Sequence, residues 1–421
     1  MAAARGARAT ARPCRGGVTH NALAMKPLLF SVLPRPPHPS RDGLAIRNFH
    51  LLAALTEHFR VRAFSLLDPE RAYGRGEVPP EIEIDWIAQA PRRPRRVWAA
   101  AASLSGGRAY SELLYRSRAL GKRLAAAAAV EEPSWIVAHS YHVGPAALAA
   151  GSPTWIDFHN LDSEIWQRTG EAPEGGAAAW FARLQAPRVR SLEATLAAGA
   201  TGLSCVSRRD GAALRALGAR VEPMVVANGV DLERYRMRAQ APEDETVFFV
   251  GDLSWPPNAD AVRWMHAKVW PELKRARPAA RVEILGREAP EDVLGLAGPD
   301  WTLLGEGADT RPHWAGAAVA AVPLLAGGGT RLKVLEAAAS GVPVVATPIG
   351  AEGLEFTPGT EILLREDASE FAAAVAVLLA DRAAARKQAV AARARVEALY
   401  DWERIGEEFA RELVNRIGQD A

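Results

Sequence analysis

The stretch from Ala326 to Gly353, AGGGTRLKVLEAAASGVPVVATPIGAEG, decides how the rest of the chain is read. It opens with Gly327, Gly328 and Gly329, passes Thr330, and continues as a helix-patterned run to Ser340. Gly341 suits the position just past that helix, where a left-handed backbone favours a residue without Cβ. Val342 to Ala346 is then a short β-type run. Glycines at a helix start let backbone N–H groups approach an anion. Thr330 is placed to cap the helix. Arg331 and Lys333 add positive charge where a phosphate would sit, and Glu336 lies on nearly the same face as Lys333. Two readings fit. One is a nucleotide-diphosphate site with a carboxylate left for sugar hydroxyls. The other is a capped surface helix whose Lys333–Glu336 pair contributes roughly a few tenths of a kcal/mol.

Outward from this stretch, strand-like runs alternate with helical ones. In the first half strands are expected at Leu28–Leu33, Val61–Leu67, Ile82–Ile87, Trp135–Ala138, Thr154–Phe158, Gly202–Val206 and Met224–Ala227. Helical runs such as Ala45–His58 and Trp180–Ala198 separate them. A second series follows at Val247–Val250, Val282–Leu285, Thr302–Leu304, Val319–Pro323, Val342–Ala346 and Glu361–Leu364, and the end is helical. This pattern predicts an α/β protein of two doubly wound, Rossmann-like domains facing a cleft. Ligands in such sheets sit beyond the carboxyl ends of strands, and the opening stretch lies just beyond Val319–Pro323.

Composition bounds the possibilities. The 421 residues suffice for two domains, with 49% hydrophobic and 24% charged residues, as in a globular protein. A net charge of +2 argues against bulk nucleic-acid binding. Cys14 and Cys205, far apart, suggest neither a disulfide framework nor a metal cluster and fit a reducing cytoplasm. No apolar run approaches the roughly 20 residues of a membrane span. The first 24 residues carry Arg5, Arg8, Arg12 and Arg15 and no acid. They predict a disordered tail, with Met25 a candidate initiator and an organellar transit peptide the weaker alternative.

Several further residues are candidates. Gly43, between a proline-rich turn and an amphipathic helix, could bring backbone N–H groups to a ligand, and Arg47 one turn on could hold an anion or simply face solvent. His139 closes the run WIVAHSYH, and His159 and Asn160 end the next strand in WIDFHNLDSE; side chains there line the ligand edge of a parallel sheet. Asp157 alternates away from Phe158 and reads as structural or acceptor-contacting. The histidines lack metal-site helical spacing. D-x-D, G-x-G-x-x-G, G-x-S-x-G and the P-loop pattern are all absent. Between Pro91 and Arg123 nine basic residues face one acid, Glu112, with Trp98, Tyr110 and Tyr115 interleaved. This segment, 91–123, is either a basic amphipathic surface for anionic lipid or a solvated helix face.

With GGGTRLKVLEAAASGVPVVATPIGAEGL, VANGVDLERY, CVSRRD and DWERIGEEF in view, the chain resembles a family 4 (group 1) glycosyltransferase of the GT-B fold, from about Pro27 to the C-terminus. FVGDLSWPPNADAVRWM and HNLDSEIW resemble a subgroup linked to bacterial exopolysaccharide and cell-surface glycan synthesis. The resemblance implies transfer of a sugar, with retention of configuration, from a nucleotide-diphosphate sugar to a glycan or polyprenyl-linked acceptor. It implies no metal and no cofactor beyond the donor. By position, Glu336 matches the motif glutamate at the nucleotide ribose. Gly329, Thr330, Arg331 and Leu332 match the donor-contacting segment, His139 the first-domain histidine at sugar and acceptor, and Gly43 the glycine loop. Arg47, His159 and Asn160 are expected on the acceptor side. The implied organisation is a tail over 1–24, an acceptor-side domain over 25–236, a linker over 237–245, a nucleotide-sugar domain over 246–400, and a helix over 401–421 returning to the first domain. The protein is expected in the cytoplasm, or peripheral on the inner face of the plasma membrane.

Two departures matter. The family's other motif glutamate, eight residues before Glu336, is here Gly328. The loop Gly251–Asn258 lacks the arginine and lysine that many members carry, so Arg331 and Lys333 are expected to supply that charge and to join His139 and Glu336 in catalysis. The competing functions are an epimerase or hydrolase on the same plan, and a degenerate nucleotide-sugar-binding protein without turnover.

Overall fold

The structure, a computed structural model, describes residues 26–69, 78–171, 176–307, 309–327 and 331–417. The predicted tail, Met25, Gly328, Gly329 and Thr330 lie outside these residues.

The chain builds two parallel sheets. The first holds β1 (Leu28–Leu33), β2 (Arg60–Leu67), β3 (Glu83–Ala88), β4 (Trp135–Ala138), β5 (Thr154–Phe158), β6 (Gly202–Cys205) and β7 (Met224–Val225), in the order β3-β2-β1-β4-β5-β6-β7. The second holds β8 (Thr246–Val250), β9 (Arg281–Leu285), β10 (Trp301–Gly305), β11 (Val319–Val322), β12 (Val344–Ala346) and β13 (Leu363–Leu364), in the order β10-β9-β8-β11-β12-β13. Central strands are apolar on both faces, as in β4, whose four residues are all buried, because helices cover both sides. The predicted strands are found, with shifted ends. β12 starts at Val344 rather than Val342, since Pro343 has no N–H for the ladder. In each sheet the strand order reverses once, at β1/β4 and β8/β11, which opens a crevice for a ligand.

Asp42 caps the helix Gly43–His58 by accepting from the Ala45 N–H. The helix buries Leu51, Leu52 and Leu55 against the first sheet. The C-terminal helix Trp402–Ile417 returns to the same place. Its Trp402, Ile405, Phe409 and Leu413 share one buried cluster with those leucines, Trp135 and Trp155. Gly406 permits the approach, since a Cβ there would stand 2.6 Å from Ala54 Cβ. The two chain crossings between the sheets run side by side: Val230 N donates to Tyr400 O (2.8 Å) and Trp402 N to Val230 O (3.3 Å). Among the described residues no helix is long and apolar enough to cross a membrane.

Candidate active site between the two sheets

A cleft of ≈590 Å³ separates the sheets, a volume usual for small-molecule sites. On the second-sheet side it is walled by the loops after β8 (Gly251, Asp252), β9 (Gly286, Arg287) and β10 (Glu306, Gly307). Leu332, Lys333 and Glu336 of the helix Leu332–Ala339 complete that wall. Ser40, Arg41, Asp42, Gly43 and Ile46 face it from the first domain. The strand-ending glycines are required by crowding: a Cβ at Gly286 would lie 2.4 Å from Gly251 O. Gly43 approaches the opposite wall, where a Cβ would meet Leu332 Cδ1 at 3.3 Å.

Lys333 Nζ donates to Asn258 Oδ1 (2.9 Å) and sits 4.1 Å from the centroid of Phe249. Burial, reinforced by Arg331, pulls its ammonium down to about 7. It is therefore poised between charge states near neutral pH, and an arriving anion would favour the charged one. The alternative Lys333–Glu336 surface pair does not form; Asn258 and Phe249 hold the lysine instead. Glu336 Oε2 accepts from Thr310 Oγ1 and Trp314 Nε1, both at 3.0 Å. Burial raises its carboxyl above the ordinary value despite those bonds. Tyr235, also on the cleft wall, braces Thr310 through its hydroxyl (2.8 Å).

Arg287 is the residue that the sequence reading missed. It comes from the loop after β9 and is held on Asp252 Oδ2 by Nη2 (2.6 Å) and Nε (2.9 Å). Its signal was the repeated strand–glycine pattern, LGRE after β9 and LGEG after β10.

Arg331 does not join Lys333. Arg331 is the cap residue, with non-helical backbone (φ −86°, ψ 82°), whereas Lys333 lies inside the helix, and the two side chains take different partners. Arg331 is buried, donates from Nε to Ile349 O (3.2 Å), and lies against Gly327. Burial pulls its guanidinium down to about 10. It packs beside Gly327 and is not among the residues lining the cleft. The helix itself starts at Leu332 with Arg331 at the cap position and no side-chain cap bond. Gly329 and Thr330 are outside the described residues. Gly341 has φ +74°, as its position past the helix demands.

The acceptor-side expectations also need correction. Arg47 neither faces solvent nor lines the cleft. It is fully buried and clamps Asp157 through two 2.8 Å bonds, with further bonds to Asn228 Oδ1 and Ala227 O at 3.0 Å. Burial would raise the Asp157 carboxyl, but Arg47 overrides it and holds the group well below the usual carboxylate range. This ion pair ties the helix Gly43–His58 to β5 and to the chain crossing at 227–228. His139 is fully buried, and its backbone still follows β1 through the His139 N to Val32 O bond (2.9 Å). Its ring is thereby carried inward, with Nε2 3.3 Å from Ser31 Oγ, and burial lowers it to about 3. This neutral, enclosed imidazole is not among the residues that line the cleft. His159 Nε2 lies 3.0 Å from Asp157 Oδ2, so it belongs to the Arg47–Asp157 cluster. Asn160 is half-buried and is not among the cleft-lining residues.

Arg168 spans the two domains: its Nη1 donates to Gly327 O (2.7 Å), and the guanidinium pairs with both oxygens of Glu352 at 3.0 Å. Arg209 also reaches Glu352 (3.0 Å). Among the described residues no group of three or more His, Cys, Asp or Glu is placed to hold a metal ion.

Residues 244–381 match the family model described as glycosyl transferases group 1. Anabaena HepE, solved with UDP and glucose, superposes with a TM-score of 0.65 at 16% identity, covering 92% of this chain and 100% of that one. The fold is GT-B. A variant of S. aureus TarM, solved with fondaparinux, α-GlcNAc-glycerol and UDP, gives 0.65 at 9% identity over 92% and 99%. The Burkholderia multivorans trehalose 6-phosphate synthase gives 0.64 at 15% over 94% and 100%. No curated protein matches. The family model and the GT-B neighbours support a glycosyltransferase.

Proposed function

We propose that the protein moves a sugar from a nucleotide-diphosphate sugar to a glycan or polyprenyl-linked acceptor, with retention of configuration and without a metal, in the cytoplasm. The observation that carries this reading is the convergence of Lys333, Arg287 and Glu336 on a cleft faced by Ser40–Gly43 of the other domain. As the bond from the anomeric carbon to the diphosphate breaks, its electron pair leaves with the diphosphate, and cations aimed at the leaving group lower the barrier. Lys333 and Arg287 fill that role, in place of the expected pair of Arg331 and Lys333. The acceptor hydroxyl bonds to the anomeric carbon and its proton passes to the departing phosphate oxygen. Glu336 holds the ribose. The close approach of Gly43 to Leu332 limits water, whose attack would waste the donor.

UDP complexes among the neighbours favour uridine as the base. A thermal-shift screen with UDP, GDP, ADP and their sugars tests this. UDP is expected to raise the melting temperature most, by mass action; no shift with any nucleotide would overturn the reading. The helix Arg92–Gly106 (within 91–123) exposes Val97 and Leu104, with Trp98 beside them, and this apolar face between arginines fits peripheral contact with anionic lipid. Co-sedimentation unchanged between anionic and neutral vesicles would remove that part.

A further inference from the structure

The ligand edge of the first sheet carries an imidazole and a carboxylate side by side. His142 follows β4, and Asp162 opens the helix Asp162–Glu171 after β5. His142 Nε2 lies 3.7 Å from Asp162 Oδ2, and the two side chains are 16% and 22% exposed. That gap is too long for a hydrogen bond. Both groups are held in place. The Tyr115 and Tyr141 rings pack on the imidazole, with centroids 4.3 and 4.1 Å away. Tyr141 OH donates to Asp162 Oδ2 (2.7 Å), and the next residue, Ser163, donates its N–H to the buried Glu193 (3.1 Å).

Ser140 sets the tautomer. It is buried, and His142 Nδ1, at 2.7 Å, is the acceptor that its hydroxyl reaches, so the ring proton sits on Nε2. Burial, with Arg35 and His159 nearby, pulls the ring down to about 3, which leaves it neutral. Burial raises Asp162 to about 6, which leaves it mostly ionised at neutral pH. His142 Nε2 and Asp162 Oδ1 make no hydrogen bond among the described residues, and neither atom is enclosed. An alcohol suits this pair, since its oxygen accepts from Nε2 and its proton goes to the carboxylate. An anion would meet Asp162, and a cation would meet Arg35, whose charge already bears on His142. The pair does not line the cleft but is tied to it on two sides. Arg35 bonds both Tyr115 OH (3.3 Å) and Asp42 of the cleft wall (3.0 Å). Arg168, roughly 9 Å along the helix from Asp162, reaches Gly327 O in the second domain.

We infer that His142 and Asp162 hold two adjacent hydroxyls of the acceptor, and that the acceptor is a neutral sugar with a vicinal diol. One hydroxyl bridges Nε2 and Oδ2, and its neighbour donates to Oδ1. These are hydroxyls other than the reacting one, which belongs in the cleft. This rests on the transferase reading, which it deepens.

The test is calorimetric titration, with UDP present at saturation, of the methyl glycosides of glucose, galactose and mannose, of methyl glucuronoside, and of the monodeoxy forms of the best binder. The proteins are the native chain, Asp162→Asn, which keeps an oxygen for Tyr141, and His142→Phe, which keeps a ring against the two tyrosines. At least one neutral glycoside is expected to bind, and the glucuronoside no tighter. Removing one hydroxyl of the diol should cost the native chain about tenfold, the value of one charge-assisted contact. Each variant should bind the parent glycoside about tenfold more weakly, with UDP affinity unchanged. In Asp162→Asn the deoxy form should bind as well as the parent, a loss of coupling that a merely helix-anchoring aspartate would not produce. No glycoside bound by the native chain with UDP in place, tighter binding of the glucuronoside, equal binding of every deoxy form, or full affinity in both variants overturns the inference. UDP affinity, measured on the same samples, separates the failures: these outcomes with UDP bound end this proposal alone, whereas no nucleotide binding ends the transferase reading beneath it.

Discussion

Replacing Lys333 by methionine removes an ammonium from the cleft while keeping most of the side-chain volume over Phe249. In the free protein burial brings Lys333 from 10.5 to about 7, which corresponds to about 5 kcal/mol against the charged form. A diphosphate oxygen about 4 Å away returns about 4 kcal/mol per unit charge at an effective dielectric near 20. The two are comparable, so the lysine should become protonated as the donor binds. The sign follows. Affinity is full below about 7 and falls as pH rises from there toward the higher ionisation of the bound state, by roughly tenfold per pH unit. At pH 8, where a terminal phosphate is already ionised, each UDP bound should take up about 0.9 proton. Calorimetry of UDP binding in two buffers of different ionisation enthalpy measures this directly. Lys333→Met should abolish the uptake and weaken binding at pH 6 by roughly tenfold or more. Its melting temperature should stay level or rise, because the cost of the buried ammonium goes. A UDP affinity flat from pH 7 to 9, or proton uptake that persists in the methionine variant, would refute the assignment of Lys333 to the diphosphate.

Arg47→Met strands the Asp157 carboxylate in the core. It should cost about 3–5 kcal/mol, seen as an earlier first-domain transition in urea, whereas a small change would show that water reaches the pair. Glu336→Gln should weaken UDP binding by about tenfold without lowering the melting temperature. The folded-state ionisation of Glu336 is raised, so its charged form costs stability at neutral pH and the amide does not; a large loss of stability would contradict this. Arg168→Ala cuts the contacts from the first domain to Gly327 O and Glu352. It should enlarge the donor-free radius of gyration in X-ray scattering and raise the donor KM more than it changes kcat; an unchanged radius and KM would mean that the contact does not hold the domains together.

The fold was legible because its signals are local. Trp135–Ala138 is a continuous apolar run, Thr154–Phe158 is a β-type run broken by Asp157, and Gly341 suits the end of a helix. The donor half of the site was legible where helix spacing sufficed: Lys333 and Glu336, three apart, share the cleft. It failed at the helix start, where Arg331 takes the cap position and turns to Ile349 O while Lys333 lies inside the helix. It failed again where long-range partners decide. Nothing near Arg47 announces that Asp157, 110 positions on, will bury it. His139 sits at a strand end as expected, but whether its ring turns to the cleft or to Ser31 depends on β1, far away in sequence. Arg287 reaches the cleft only because β9 lies beside β8 and Asp252 holds its guanidinium.

The central claim is that the cleft between the sheets takes a nucleotide diphosphate, its phosphates on Lys333 and Arg287 and its ribose on Glu336. A crystal structure of the protein with UDP tests it most directly. The account predicts phosphate oxygens about 2.7–3.1 Å from Lys333 Nζ and from the Arg287 guanidinium, with ribose hydroxyls on the Glu336 carboxylate. UDP bound elsewhere, or in this cleft with its phosphates on neither cation, would contradict it.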